Sequence, residues 1–390
     1  MAHELTPRLS ATIAQSVYNV RTIEFNYAAQ ENLLGIEGHF GAEAGKGRRL
    51  DGRSGAAIFK PITGFGYLAS GVGAREGELL VATRGTAIGV DWLSNLNIGM
   101  VRGPYGHLVH SGFHNVWGSF RDQIDSFLVG RRFTAVHCVG HSLGGALANL
   151  NAAWFAGRGQ ENVSLYTFGA PRVGLGGFHD ALLASVRAGA IHRVLHIADP
   201  VPMIPIFPFL HVSPARGGHL LKGGGSLISI GAHSMADSYI PGVGEFGWGA
   251  LGTEGDERTT DAKIRAWIDS AASGGAVQQY SALALGSIAR ALNWLISKAG
   301  AVVAGTIGTG LAIGMSALDQ VAWLLSRAAA ISKEISSMLL AVISAALRFT
   351  GRTAATAADL TTTFLRWTLN LLWSSMSIIA TRALNAVGVL

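Results

Sequence analysis

A serine flanked by glycines offers the clearest chemistry in this sequence. Gly140-His141-Ser142-Leu143-Gly144 has the pattern G-x-S-x-G, and it lies between a β-branched apolar run and an Ala-rich run. A serine on a sharp turn from strand to helix has strained backbone angles, and glycines on both sides remove side chains that would clash there. The pattern predicts that Ser142 is a nucleophile; the alternative is an inert serine in a tight turn.

Two aspartates after Ser142 compete to be the acid that orients the base of such a nucleophile. Asp199 follows a β-branched run, and Pro200 prevents a strand from continuing beyond it. This predicts Asp199 at the carboxyl end of a strand, at the sheet edge where Ser142 is expected. Asp180 is the rival, but it lies in a helical pattern and is expected to face solvent.

Three histidines follow Asp199 and compete to be the base. His233 follows an apolar run and begins a new turn, and it satisfies the chain order serine, acid, histidine. His211 is the alternative, either as the base or as a structural residue hydrogen-bonded near the site. His219 follows Gly217 and Gly218 in a Gly-rich stretch and is predicted to be an exposed loop residue.

The sequence carries no pattern typical of a metal or cofactor site. Cys138 is the single cysteine, which excludes an internal disulfide and a cysteine-ligated zinc or iron–sulfur centre. The histidines and carboxylates show no convincing metal-ligand spacing. We therefore expect no cofactor and no catalytic metal.

Short apolar runs alternate with helical patterns through the middle of the chain. Strands are predicted over residues 78–83, 133–139, 164–168 and 193–197, and helices over residues 143–156 and 178–187. Strands that alternate with helices form a mostly parallel sheet covered on both faces. The predicted fold class is therefore α/β.

Several motifs occur in a fixed order along the chain. They are Val81-Ala82-Thr83-Arg84-Gly85-Thr86, Asp91-Trp92, His110-Ser111-Gly112-Phe113, Gly140-His141-Ser142-Leu143-Gly144-Gly145, Phe168-Gly169-Ala170-Pro171-Arg172-Val173-Gly174 and Asp199-Pro200-Val201-Pro202. Together they resemble the class 3 lipases of the α/β-hydrolase fold, over about residues 65–245. The resemblance implies that Ser142 is the nucleophile, Asp199 the acid and His233 the base. It also implies oxyanion donors at Thr86 and at the backbone N–H of Leu143.

The family resemblance also implies a lid over about residues 87–98. Trp92 and Leu93 are apolar there while Asp91 and Asn95 are polar, which is typical of an amphipathic turn able to cover an acyl pocket and roll onto lipid. An ordinary surface helix has the same pattern.

Charge is distributed unevenly along the 390 residues. The net charge is +6, of which +5 falls in residues 280–390, where Lys and Arg number 8 and Asp and Glu number 3. We predict an N-terminal helical and loop extension over residues 1–60, a hydrolase core over 61–275 and an Ala/Leu-rich helical region over 276–390. The Gly- and Arg-rich stretch 41–55 is predicted to be a solvated loop, and no nucleic acid is expected because no aromatic interleaving accompanies its charges.

The helical region is apolar enough to suggest contact with a membrane. Residues 299–318 contain no charge over 20 residues, which is long enough to span a bilayer. The shorter uncharged runs 335–347 and 367–381 suit helices that lie in the interface. A soluble helical bundle that buries these stripes is the alternative.

Taken together, these features predict a serine-dependent lipase or phospholipase with a membrane-associating region. The first 30 residues lack the pattern of a secretory signal. A further hypothesis is an antibacterial effector, exported by a signal-independent secretion system and matched by an immunity or secretion partner protein. The alternative from another class is a membrane-inserting or scaffold protein with a vestigial hydrolase core.

Overall fold

A computed structural model gives the architecture of the chain. It describes residues 4–21, 34–43, 45–53, 62–85, 99–214, 217–221, 223, 227–253, 261–274, 277, 279–304, 317–353, 355–356 and 359–387. The predicted lid, residues 87–98, and the predicted oxyanion residue Thr86 lie outside these ranges.

One eight-stranded sheet forms the centre of the hydrolase part. Its order is β1–β3–β4–β7–β8–β9–β10, with β2 also paired to β3. The pairs from β4 through β10 are parallel, which confirms the predicted mostly parallel α/β sheet. The strands are β1 (Phe40–Gly41), β2 (Gly47–Arg53), β3 (Ile62–Gly71), β4 (Glu78–Thr83), β7 (Ala135–His141), β8 (Val163–Phe168), β9 (Ile191–His196) and β10 (His219–Leu221); β5 (Met100–Arg102) and β6 (Leu108–His110) form a separate hairpin.

The antiparallel edge of the sheet corrects one prediction. Residues 47–53, which we expected in a solvated loop, form β2 and pair with β3 in a register that aligns Leu50 with Gly66. Leu50 is buried against Phe65 and other core residues, so one apolar side chain among glycines and arginines is enough to anchor the strand. The glycines and arginines of this stretch obscured the alternation of buried and exposed residues that is typical of a strand.

Helices cover both faces of the sheet, as the sequence predicts. On one face, α2 and α3 pack against Leu79 and Val81 of β4. On the other, α1 packs against Leu80 and Ala82, the alternate residues of that strand. These helices are α1 (Pro7–Ser16), α2 (Ser111–Leu128), α3 (Leu143–Gly157), α4 (Gly176–Ser185) and the short α5 (Ile240–Val243).

The C-terminal region is helical within its described residues. Its helices are α6 (Asp261–Ala272), α7 (Ala282–Ala304), α8 (Ala317–Ile331), α9 (Lys333–Phe349) and α10 (Thr362–Val387). Their apolar stripes meet in one buried cluster that also includes Val201, Ile204, Ile206 and Phe207 of the hydrolase core. The helical region is therefore docked on the core by apolar packing.

The predicted spanning segment, residues 299–318, is described only at its two ends, in α7 and α8. Among the described helices, none combines the length and the apolar character needed to cross a bilayer. The proposed domain boundaries at residues 60 and 275 stay predictions.

Candidate active site

Ser142 lies on a strained turn between β7 and α3. Its φ of 60° and ψ of −133° are angles that a non-glycine residue rarely adopts. The two neighbouring glycines allow the turn: a Cβ on Gly140 would lie 2.2 Å from the carbonyl oxygen of Gly144, and one on Gly144 would lie 2.1 Å from that of Thr83. The Ser142 N–H donates to the Phe168 carbonyl oxygen at 2.9 Å, which ties the turn to β8. The turn holds the hydroxyl at the carboxyl edge of the sheet.

The structure brings Ser142, His233 and Asp199 together from three separate parts of the chain. His233 Nε2 lies 3.0 Å from Ser142 Oγ, and His233 Nδ1 lies 2.8 Å from Asp199 Oδ2. All three side chains are buried, with Ser142 at 1% exposure. This order of contacts allows the histidine to accept the serine proton through Nε2 while Nδ1–H donates to the carboxylate.

Three donors converge on the carboxylate of Asp199. His233 and the Tyr239 hydroxyl both donate to Oδ2, the latter at 2.6 Å, and the Val201 N–H donates to Oδ1 at 2.9 Å. Burial, together with the adjacent carboxylate, raises the pKa of Tyr239 well above its ordinary value. Tyr239 therefore stays protonated and remains a donor.

A second histidine, His141, lies beside His233. Its Nε2 is 3.0 Å from the His233 carbonyl oxygen, its Nδ1 is 2.9 Å from the Tyr18 hydroxyl, and its ring centroid is 4.5 Å from that of His233. Burial, and then the nearby His233, lower the pKa of His141 well below its ordinary value. A neutral ring with the proton on Nε2 satisfies both contacts, since it donates to the carbonyl and accepts from the tyrosine.

Tyr18 and Tyr239 were missed by the sequence analysis, and His141 was given no role. Tyr18 comes from a 3₁₀ turn in the N-terminal segment, 123 residues before His141. Tyr239 lies on the π-helical turn that follows His233. The position of Tyr239, one turn after the base, was the signal that could have identified it; nothing in the sequence connects Tyr18 to the site.

The predicted oxyanion turn is described as far as Gly85. The buried Arg84 guanidinium donates to the Gly85 carbonyl oxygen at 2.7 Å and to the Thr63 hydroxyl at 3.0 Å, so the turn is anchored to β3. Leu143, the other predicted donor, is the buried first residue of α3 and directly follows the serine. The roles of Thr86 and Leu143 in oxyanion binding stay predictions.

The rival acid and bases lie in other environments. Asp180 is on α4 with 66% of its side chain exposed, and it contacts the adjacent His179. His211 is buried and its Nε2 donates to the Pro202 carbonyl oxygen at 2.7 Å. His219 corrects our expectation of an exposed loop residue, because it begins β10 and its ring lies 5.6 Å from that of His192.

A cavity of about 270 Å³ lies beside the segment that carries His233. It is lined by Tyr18 from the N-terminal segment, by Gly231 and Ser234 on either side of the base, and by Ala386 of α10. Within the part of the chain that the structure describes, no group of three or more histidine, cysteine or acidic side chains is arranged to hold a metal ion.

Comparisons with known proteins show what part of this site is similar to. Residues 80–209 match the model described as Lipase (class 3). Secreted mono- and diacylglycerol lipase 1 of Fusarium solani is 35% identical over 161 residues, which are 39% of this chain and 47% of that protein. Phospholipase A1-II 1 of Oryza sativa subsp. indica is 28% identical over 168 residues, 35% of this chain and 41% of that protein.

The chain spans about half the length of the curated relatives it matches first. Among solved structures, a mutant form of MDLA from Penicillium cyclopium is 22% identical with a TM-score of 0.43, covering 60% of this chain and 88% of that one. The family match runs from within β4 to the loop after Asp199 and includes the strained serine turn. Residues 80–209 are therefore similar to the class 3 lipase family, and they carry the strained serine turn and Asp199.

Proposed function

We propose that this protein hydrolyses carboxylic esters of lipids through an acyl-enzyme on Ser142. The observation that carries the proposal is the buried series of contacts from Ser142 Oγ to His233 and from His233 to Asp199. A serine so placed between a strained turn and an oriented imidazole matches what nucleophilic acyl transfer requires.

The chemistry proceeds in two halves. Ser142 Oγ attacks the ester carbonyl while its proton moves to His233 Nε2, which then protonates the leaving alcohol. The acyl group stays on Ser142 until a water, deprotonated by His233, attacks it and releases the fatty acid. Asp199 holds the Nδ1–H of the imidazole throughout, and the N–H of Leu143 together with Thr86 stabilises the oxyanion in each half.

The substrate class rests on what the relatives' names share. One relative is named a mono- and diacylglycerol lipase and the other a phospholipase A1, so an ester of an acylglycerol lipid is common to both. Of these, we favour a membrane phospholipid, because residues 280–390 carry most of the net positive charge and would be attracted to an anionic surface.

Membrane contact would use an aromatic and basic patch where α10 begins, which we call the Trp367 patch. It consists of Trp367, with 43% of its surface exposed, Phe364 with its ring 5.6 Å away, and Arg352 with its guanidinium 5.5 Å from the Trp367 ring. Aromatic rings beside arginines suit the headgroup level of a bilayer.

Fatty-acid release from two lipid forms tests the proposal. Vesicles of phosphatidylethanolamine and phosphatidylglycerol are compared with a triacylglycerol emulsion, using wild type, Ser142→Ala and Trp367→Ala. We expect release mainly from vesicles, loss of release in Ser142→Ala, and weaker vesicle binding in Trp367→Ala. Equal release by wild type and Ser142→Ala would refute the role of Ser142, and release mainly from the emulsion would make the protein a neutral-lipid lipase.

A separate hypothesis is that the protein acts as an antibacterial effector. A phospholipase with a membrane-contacting region would damage a bacterial envelope, and a producing cell would need a protective partner. Directing the protein to the periplasm of a sensitive bacterium is expected to arrest growth in a Ser142-dependent manner. Normal growth with the active enzyme present there would count against the hypothesis.

A further inference from the structure

Helix α10 lies against the two segments that carry the acid and the base. The first is residues 199–210, called here the acid loop, and the second is Ile230–His233, called here the histidine turn. Ile204 and Phe207 of the acid loop share a buried cluster with Leu369 and Leu372 of α10. The same helix packs against the histidine turn. One C-terminal helix thus touches the supports of two of the three reacting side chains.

Trp373 is a buried side chain of α10 that packs on the acid loop. It is 5% exposed, its ring lies 6.2 Å from that of Phe207 in an edge-to-face arrangement, and it forms a small buried cluster with Phe209. Met100 and Leu175 pack on the same cluster. Trp373 therefore contacts both aromatic residues at the end of the acid loop.

The hydrolase side also holds the acid loop through hydrogen bonds. Arg172 donates to the Met203 and Pro205 carbonyl oxygens at 2.5 and 3.1 Å, and His211 donates to the Pro202 carbonyl oxygen. The side chains of Ile204, Ile206 and Phe207 instead pack in the cluster formed by the C-terminal helices.

One hydrogen bond connects the backbone of the acid loop with the Asp199 carboxylate. The Val201 N–H donates to Asp199 Oδ1, and Val201 is itself in the cluster shared with the C-terminal helices. A displacement of the loop would therefore rotate the carboxylate that orients His233. Shifts of about 1 Å in catalytic geometry can reduce rates about a hundredfold.

The histidine turn is also held by the C-terminal region. Just before it, the Ile228 N–H donates to the Tyr280 carbonyl oxygen at 3.3 Å, and Leu227 forms an antiparallel bridge with Ser281. The segments that carry Asp199 and His233 are thus both supported by the C-terminal region, through α10 and the residues just before α7.

We infer that Trp373 is a positioning residue for the catalytic triad, acting through the acid loop on Asp199. The C-terminal helical region then completes the active site, and is not a separable membrane anchor. This inference rests on the proposed function, because it assigns Trp373 a role in the reaction of Ser142.

Two variants of Trp373 and one matched control test the inference in the full-length protein. The assay is hydrolysis of a short-chain, water-soluble nitrophenyl ester, which needs no membrane. A fluorophosphonate that labels Ser142 counts the competent sites, so that kcat is expressed per titrated serine. Trp373→Ala is the disrupting variant, and Trp373→Phe keeps an aromatic ring against Phe207. Trp323→Ala is the control, because it removes a partly buried tryptophan that packs on the same apolar cluster from α8.

We expect Trp373→Ala to lower kcat per titrated serine by about tenfold to a hundredfold with little change in KM. Trp373→Phe should restore most of that loss, and Trp323→Ala should stay within about twofold of wild type. A merely structural tryptophan would reduce the number of titratable sites and leave kcat per site unchanged, and that result would overturn the inference.

Two other outcomes would also overturn it. A rise in kcat would make α10 a cap that restrains the site, and a rise in KM alone would make Trp373 part of the acyl-binding surface. Wild type that turns over no ester through Ser142 would overturn the proposed function and this inference together. An active wild type with an unchanged Trp373→Ala variant would overturn the inference alone.

Discussion

Three buried histidines should make this protein sensitive to mild acid. Burial lowers the pKa of His110 to about 3. Burial lowers the pKa values of His141 and His211 well below the ordinary value, helped by His233 in the first case and by neighbouring arginines in the second. All three rings are therefore neutral in the folded protein at pH values where an unfolded chain would protonate them.

The change in stability with pH has the sign set by the difference in bound protons between the folded and unfolded states. Above about pH 6.5 the rings are neutral in both states and contribute no pH dependence. Below that value the unfolded state binds more protons, so the free energy of unfolding decreases as the pH falls towards the folded pKa values. Each ring contributes about 1.4 kcal/mol per pH unit, and three together contribute about 4 kcal/mol per pH unit.

This slope is large beside the stability of an ordinary domain. Between pH 7.5 and 5.5 the three histidines alone should remove about 4 kcal/mol from a total of about 5–15 kcal/mol. Urea unfolding at a series of pH values measures the change directly. His211→Gln, which removes one of the three rings, should reduce the slope by about 1.4 kcal/mol per pH unit.

A free energy of unfolding that changed by less than about 1 kcal/mol between pH 7.5 and 5.5 would refute this reasoning. So would an unchanged slope in His211→Gln. Either result would mean that the buried rings are protonated in the folded state, or that local opening admits water to them without global unfolding.

Two further predictions concern the strained turn and the carboxylate. Gly140→Ala places a Cβ 2.2 Å from the Gly144 carbonyl oxygen. We expect its free energy of unfolding in urea to fall by about 3 kcal/mol or more, and we expect no labelling by a serine probe. Gly118→Ala, in open space on α2, should raise the free energy of unfolding by about 0.5–1 kcal/mol. Similar stabilities for the two variants would contradict the close approach. Tyr239→Phe deletes the 2.6 Å hydrogen bond to Asp199. It should lower the free energy of unfolding by about 1.5–3 kcal/mol and also lower kcat, both measured on the same protein samples. An unchanged kcat would show that the remaining two donors suffice.

The sequence predicted the parts of the site that local chain geometry controls. The turn at Ser142 is specified within five residues, because the glycines and the flanking strand and helix are all local. Asp199 could be chosen because it follows a β-branched run that ends at the carboxyl edge of a parallel sheet. His233 could be chosen because it begins a new turn and satisfies the chain order serine, acid, histidine. Their convergence within hydrogen-bond distance is a property of the fold that the structure adds.

The parts that the sequence did not reveal depend on distant packing. Tyr18 reaches His141 from a segment separated by the whole first half of the hydrolase core, and no local pattern encodes that contact. β2 was assigned to a loop because its glycines and arginines are typical of loops, although pairing with β3 decides its conformation. His219 was misassigned for the same reason, since the flanking glycines concealed a short strand.

The C-terminal region shows why an apolar helical pattern does not identify its own partner. A stripe that packs on lipid and one that packs on protein have the same spacing and the same composition. Here the stripes of α7 to α10 meet residues 201–207, immediately after the catalytic aspartate, in one buried cluster. The helices that follow the change in composition near residue 280 therefore share a buried cluster with the core. In this arrangement α10 offers a membrane only what it leaves exposed, such as Trp367 and Ile378. Its buried face is already occupied by the loop that holds Asp199, so deep insertion of α10 into lipid would have to disturb the acid loop.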